Sequence, residues 1–391
     1  MPNSQRFPSL RRKAVALLLP ALLAAAAPAL APAQPVGLPD LGDSAAQELS
    51  PRLEQRLGDA IMMESLRDPA YIDDPDLLQY LTGMARQLSA HAPVGTPNSH
   101  VFAVRDPRIN AFAMPGGYIG VHTGLVVAAQ SESELAGVLA HEIGHVVQRH
   151  IARGLVQQKQ DTLIMVAALL AALVAARGNS QAPEAAMAFG QAAAINSQLG
   201  FSREAEREAD RTGFQMLEAA DYNVNGMASF FGRLMQASGL NERTGQAFTR
   251  THPLSIERMS DMQNRARGVV IHDRPSSSDF HFVRAKMRML QANSGQDTLE
   301  AIRYFENRST ETQGIERSAA YYGMALGYVR QREYGKANDA YLAATSGART
   351  HFMLEHLAID LALARNDTQQ AMSLARSAVA RWPEQRGLAM A

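Results

Sequence analysis

The chain contains no cysteine. That excludes disulfides, thiolate nucleophiles, lipid-modified cysteines and sulfur-held metals, so any metal must be bound through nitrogen and oxygen. An excess of either charge is also missing, since 38 Lys and Arg balance 38 Asp and Glu. Nothing in that balance points to nucleic acid or to a strongly anionic partner. Apolar runs are short beside the roughly twenty residues that a membrane-spanning helix needs. One of them, Ala14 to Ala27, follows Arg6, Arg11, Arg12 and Lys13, is broken by Pro20 and precedes Ala31-Pro32-Ala33. Basic, then apolar, then small residues read as a secretory signal peptide over residues 1–33, cleaved near Ala33, so the mature protein is expected to be exported. Leu163 to Ala176 is the other, at 14 residues. It reads as a buried helix, with a lid over a cleft or a peripheral membrane contact as alternatives.

What is present is more specific. His141-Glu142-Ile143-Gly144-His145 is an HExxH motif. On a helix, residues four apart lie on one face, so both imidazoles can reach one cation. Glu142 sits about 100° round the helix, where it can take a proton from a metal-activated water. Two nitrogen ligands with an adjacent base suit zinc hydrolysis better than a structural zinc site. Val138, Leu139, Ile143, Val146 and Val147 surround the motif and predict a buried helix. Buried histidines and a buried glutamate need partners, which a metal would provide. Ser131 followed by Glu134 reads as the capping box that starts this helix.

A catalytic zinc needs a third protein ligand and an open position. Position 151 is Ile151, so the longer metzincin pattern is absent, and His150 reads as a polar residue at a helix end. Phe201 to Asp210 offers Glu206 and Asp210 on one helical face. They read either as a carboxylate ligand with a supporting carboxylate, or as a solvated face of ion pairs. Residues 51–92 look helical. Val101 to Val104, Ala111-Phe112 and Tyr118 to Val121 carry strand signals around a Pro115-Gly116-Gly117 turn. The strand through Asn110, Ala111, Phe112 and Ala113 is the candidate edge for pairing with an extended peptide substrate. Pro275 to Ser278 reads as a linker. Beyond it, Ala301, Ala337 and Ala371 recur at 36 and 34 residues, close to a tetratricopeptide period. The expected domains are thus 34–275 and an all-α repeat domain over 276–391.

The HExxH, the Ser202 to Gly213 stretch, the Asn110 to Gly117 stretch and Thr251-His252-Pro253 with Arg258 occur in one order. Together they resemble the M48 family of zinc metallopeptidases. The resemblance implies an α+β, mainly helical, zincin-like domain with a small sheet. It implies one zinc ion per chain on His141, His145 and Glu206, with Glu142 as base and Asp210 orienting a ligand histidine. His252 would either stabilise the oxyanion or close the site as a fourth ligand, and Arg258 would support it. An exported member with such repeats implies a periplasmic endopeptidase. Its expected partners are unfolded or misassembled outer-membrane proteins and the β-barrel assembly machinery, met through the repeats. A chaperone or scaffold role is the alternative.

Overall fold

The computed structural model describes residues 49–93, 95, 99–157, 203–239, 246–347 and 350–390. Residues 1–33, read above as a signal peptide, and the Leu163 to Ala176 run lie outside the described residues. The first helix, α1 (Pro51–Ser65), starts where Ser50 accepts a hydrogen bond from the Leu53 amide and Pro51 presets the first turn. A two-residue strand, β1 (Tyr71–Ile72), then interrupts the stretch that reads as continuously helical. It is held by pairing with Val104 and Ala103, a distant constraint that local helical pattern does not carry. The next helix, α2 (Pro75–Ser89), restarts behind Asp74, which caps the Leu77 amide.

The sheet contains β2 (His100–Val104), β3 (Ala111–Ala113) and β4 (Tyr118–His122), in the order β1-β2-β4-β3. Strands β2 and β4 run parallel, while β3 returns antiparallel to β4. The return is made at Gly116 and Gly117, whose φ angles of 76° and 79° suit glycine and strain other residues. Side chains alternate across β2: Val101 and Ala103 enter the main core, whereas Phe102 and Val104 join a smaller cluster with Phe112 and Met114. Strand β3 is the outer strand of the sheet, yet its three residues are buried.

After the short α3 (Thr123–Ala128) comes α4 (Glu132–Val147), which carries the HExxH motif. Ser131 caps it by accepting from the Glu134 amide at 3.3 Å. Glu134 does not complete the box. Its carboxylate instead accepts from the Gln130 amide at 2.7 Å and pairs with Arg233 and Ser229. Leu135, Val138, Leu139 and Ile143 are buried, so α4 is a central helix, as its apolar neighbours predict. It is followed by α5 (His150–Gln157), α6 (Arg203–Ala219), α7 (Asn225–Gly239), α8 (Gln246–Thr251) and α9 (Ile256–Ala266). Among these, α6 and α7 pack directly on α4, and β3 lies beside it.

The rest is helical: α10 (Ser278–Gln291), α11 (Gly295–Glu311), α12 (Gly314–Arg330), α13 (Tyr334–Gly347), α14 (Phe352–Ala364), α15 (Thr368–Arg381) and α16 (Arg386–Met390). Ala301, Ala337 and Ala371 fall on alternate helices, α11, α13 and α15, and each is buried. A small side chain at these places lets neighbouring helices approach, as the recurrence anticipates. The fold is therefore α+β and mainly helical, with one four-stranded sheet among the described residues.

Candidate metal centre

Helix α4 places His141 and His145 one turn apart, with their Nε2 atoms 3.1 Å from each other. A second helix must come very close to bring a carboxylate to this pair. Gly144, inside the motif, allows it: a Cβ there would lie 2.7 Å from the Ala209 carbonyl oxygen of α6. Glu206, one turn before Asp210 on α6, then reaches both rings. Its Oε2 is 3.5 Å from His141 Nε2 and its Oε1 is 3.5 Å from His145 Nε2. His252, just past α8, joins them. Its Nδ1 is 3.2 Å from His141 Nε2 and 3.1 Å from Glu206 Oε1.

The four side chains are fully buried, at no more than 1 % exposure each, and their candidate ligand atoms lie within 4.8 Å of one another. The donor set fits zinc. A tetrahedral ion with bonds of about 2.0 Å has ligand-to-ligand edges of about 3.3 Å, and five of the contacts among these side chains, with Glu206 using both oxygens, measure 3.1 to 3.5 Å. Three imidazoles and a carboxylate are the ligand types zinc takes when no thiolate is available.

The surrounding charges match that fit. Burial alone would lower the His141 pKa, but hydrogen bonds to Asp210 and Glu206 outweigh it and push it up to about 9. Burial holds His145 well below its ordinary value, and Glu206 opposes this only in part. Burial would raise Glu206, yet the neighbouring histidines, His252 foremost, hold it well below the carboxylate range. Such a site favours a positive charge at its centre, whether a proton or a metal ion.

Asp210 Oδ1 lies 2.9 Å from His141 Nδ1, the atom that faces away from the centre. Arg258 binds Asp210 through Nε at 2.7 Å and Nη2 at 2.8 Å, and its Nη1 reaches Glu206 at 2.7 Å and the Pro253 carbonyl at 2.7 Å. One guanidinium therefore fixes both carboxylates and the turn that carries His252. Burial would raise the Asp210 pKa, but Arg258 and His141 keep it lowered.

Glu142 points elsewhere. Both its oxygens are buried without a hydrogen-bond partner, and Oε1 lies 3.4 Å from His252 Nε2. A buried carboxylate left this way carries a cost that a reacting water or substrate would relieve. Asn110 is also buried with an unbonded side-chain oxygen. It precedes Ala111, Phe112 and Ala113 of β3, next to α4.

His150 stands at a helix end, as its sequence reading expects, but it is buried against a residue of the centre. It is 2 % exposed, and its Nδ1 lies 2.9 Å from His145 Nδ1. The cause is Arg149, whose φ of 51° turns the chain back between α4 and α5. Helical spacing cannot reveal a contact made beyond such a turn. Glu208 and the helix-crossing glycines are likewise invisible as motif residues, although Gly144 inside the motif was a signal for close approach.

Comparison with known proteins gives the same assignment. The family model for peptidase family M48 matches residues 73–266, which contain every residue of the centre. The β-barrel assembly-enhancing protease of Escherichia coli (strain K12) is 32 % identical over 380 residues, which is 95 % of this chain and 76 % of that protein. Its namesake in Yersinia pestis is 32 % identical over 351 residues, 90 % of this chain and 71 % of that protein. The mitochondrial metalloendopeptidase OMA1 of Schizosaccharomyces pombe is 30 % identical over 184 residues, 47 % of this chain and 51 % of that protein. That match covers less than half of the chain, whereas the matches to the two bacterial proteases cover 90 to 95 % of it. With its HExxH helix, its carboxylates on α6 and its length-wide similarity to the bacterial proteases, this chain belongs to peptidase family M48.

Proposed function

We propose that the protein is a periplasmic zinc endopeptidase that removes misfolded or misassembled outer-membrane proteins, and that His252 keeps it inactive until triggered. The observation that carries the reading is the convergence of His141, His145, Glu206 and His252 on one buried point, with Glu142 beside it. Its export rests on the signal-like residues 1–33. Among the described residues no helix is long and apolar enough to cross a membrane. The substrate class rests on the names of the bacterial relatives and on the C-terminal helices, which we assign to residues 276–391 as a tetratricopeptide-like module for partners such as the β-barrel assembly machinery.

His141, His145 and Glu206 would hold the zinc ion. When bound, zinc supplies a Lewis acid that polarises a peptide carbonyl and acidifies water. Asp210 and Arg258 hold His141 and Glu206 in place. Glu142 takes the proton of the attacking water and passes it to the departing amine. Strand β3 and Asn110 would hold the substrate backbone by strand pairing beside α4. His252 Nδ1 stands where a fourth ligand would, which favours the gating role over oxyanion support. With His252 as a fourth ligand the centre would have no position for the reacting water, so His252 would have to move before reaction.

The test compares purified His252→Ala, in which the gate is removed, with the double variant His252→Ala/Glu142→Gln on an unfolded β-rich substrate. The double variant is expected to retain one zinc per chain and lose cleavage. Cleavage that survives the substitution would remove Glu142 from its assigned role.

A further inference from the structure

We propose that His150 is a positioning residue for His145, and that Glu208 and Arg153 fix the tautomer it needs. The inference rests on the reading of His145 as a zinc ligand. For its Nε2 lone pair to face the centre, His145 must carry its proton on Nδ1. That atom lies 2.9 Å from His150 Nδ1, a distance that requires one proton between two nitrogens. His145 is then the donor and His150 Nδ1 the acceptor. His150 must carry its own proton on Nε2, which lies 3.0 Å from Glu208 Oε2. The same carboxylate oxygen accepts from Arg153 Nη1 at 2.6 Å. In this arrangement the His145 proton sits on Nδ1 and the His150 proton on Nε2.

The backbone is shaped for this contact. Arg149 adopts a φ of 51°, uncommon for a residue with a Cβ, and His150 is the first residue of α5. Arg149 itself is tied down by Glu54 at 2.9 Å and by the Leu49 carbonyl at 2.8 Å. The two ligand histidines are therefore supported differently. His141 Nδ1 lies 2.9 Å from the carboxylate of Asp210, whereas His145 Nδ1 faces a second imidazole that in turn meets Glu208. Without His150, His145 can place its proton on Nε2, and that atom then has no lone pair for a metal at this centre.

Zinc affinity of the full chain, measured by competition with a chromophoric chelator, tests this. Wild type is expected to bind one zinc. His150→Leu keeps the bulk but removes the acceptor, and its affinity is expected to fall by about 10- to 100-fold. His150→Asn restores a carbonyl acceptor near Nδ1 and is expected to recover affinity to within about threefold of wild type. Glu208→Gln, on the partly exposed side, should weaken binding by a smaller factor. The visible spectrum of the cobalt-loaded protein should change in His150→Leu and return in His150→Asn. Unchanged affinity in His150→Leu, or an Asn variant as weak as the Leu variant, overturns the proposal. If His150→Leu does not fold, unchanged affinity in Glu208→Leu, which removes the acceptor for His150 Nε2, overturns it instead. A wild type that binds no zinc would instead remove the metal-centre reading itself.

Discussion

Arg258 concentrates the charge balance of the centre in one side chain. It is 4 % exposed and pairs with both Asp210 and Glu206. Removing one partner of such a buried cluster leaves uncompensated charge. Arg258→Leu is therefore expected to destabilise the zinc-free protein by about 3–5 kcal/mol, read from urea unfolding. A loss within experimental error would mean that solvent already screens these carboxylates. Glu142→Gln tests a different property of the same centre. Its general-base role predicts a drop of about 10²- to 10⁴-fold in cleavage in the His252→Ala background, with zinc content unchanged. His141, Glu142 and His145 were legible because their chemistry is local to one helix. Glu206 and Asp210 were legible as a spaced pair, but a pair on a solvated face would look the same. Only the crossing of α4 and α6 separates the two readings. His150 was not legible, because its contact depends on the left-handed Arg149 rather than on any period.

Helix α4 works as the scaffold because its neighbours can approach it closely. Gly144 meets the Ala209 backbone of α6, and Gly213 of α6 in turn lies against Ala140 of α4. Gly144→Ala forces a Cβ into backbone that cannot swing aside, so the helices must separate. The expected result is a destabilisation of about 1–3 kcal/mol and weaker zinc binding, measured by melting with and without added metal. A variant with wild-type affinity would show that Glu206 reaches the histidines without this approach. The main strands and the recurring alanines were also readable at this scale, since alternation and period are element-level signals. Strand β1 was hidden. Its two residues are defined by pairing with β2, and they sit between segments whose own pattern is helical.

At the scale of the whole chain, the C-terminal helices are bonded to the metal-bearing part. The Ser277 amide and hydroxyl both bind Glu132, the first residue of α4, at 2.9 and 2.7 Å. A buried set of charges does the same between helices. Asp76 on α2 accepts from Lys286 of α10 at 3.0 Å and pairs with His356 of α14 at 2.8 Å. Asp74 and Asp360 lie in the same set. The hydrogen bond to Asp76 raises the His356 pKa above its ordinary value, against the opposing effect of burial. Its stabilising contribution is then complete below its unfolded pKa of about 6.5 and disappears as pH rises through the raised folded value. The stability difference between wild type and His356→Gln should therefore be larger near about pH 6 than near about pH 9. A difference that grows with pH would contradict this assignment. The central claim, a buried zinc centre held shut by His252, is met most directly by one rate. That rate is the cleavage of an unfolded β-rich protein by zinc-loaded full-length His252→Ala, relative to zinc-loaded wild type. The account predicts faster cleavage by the variant, and a variant slower than wild type would contradict it.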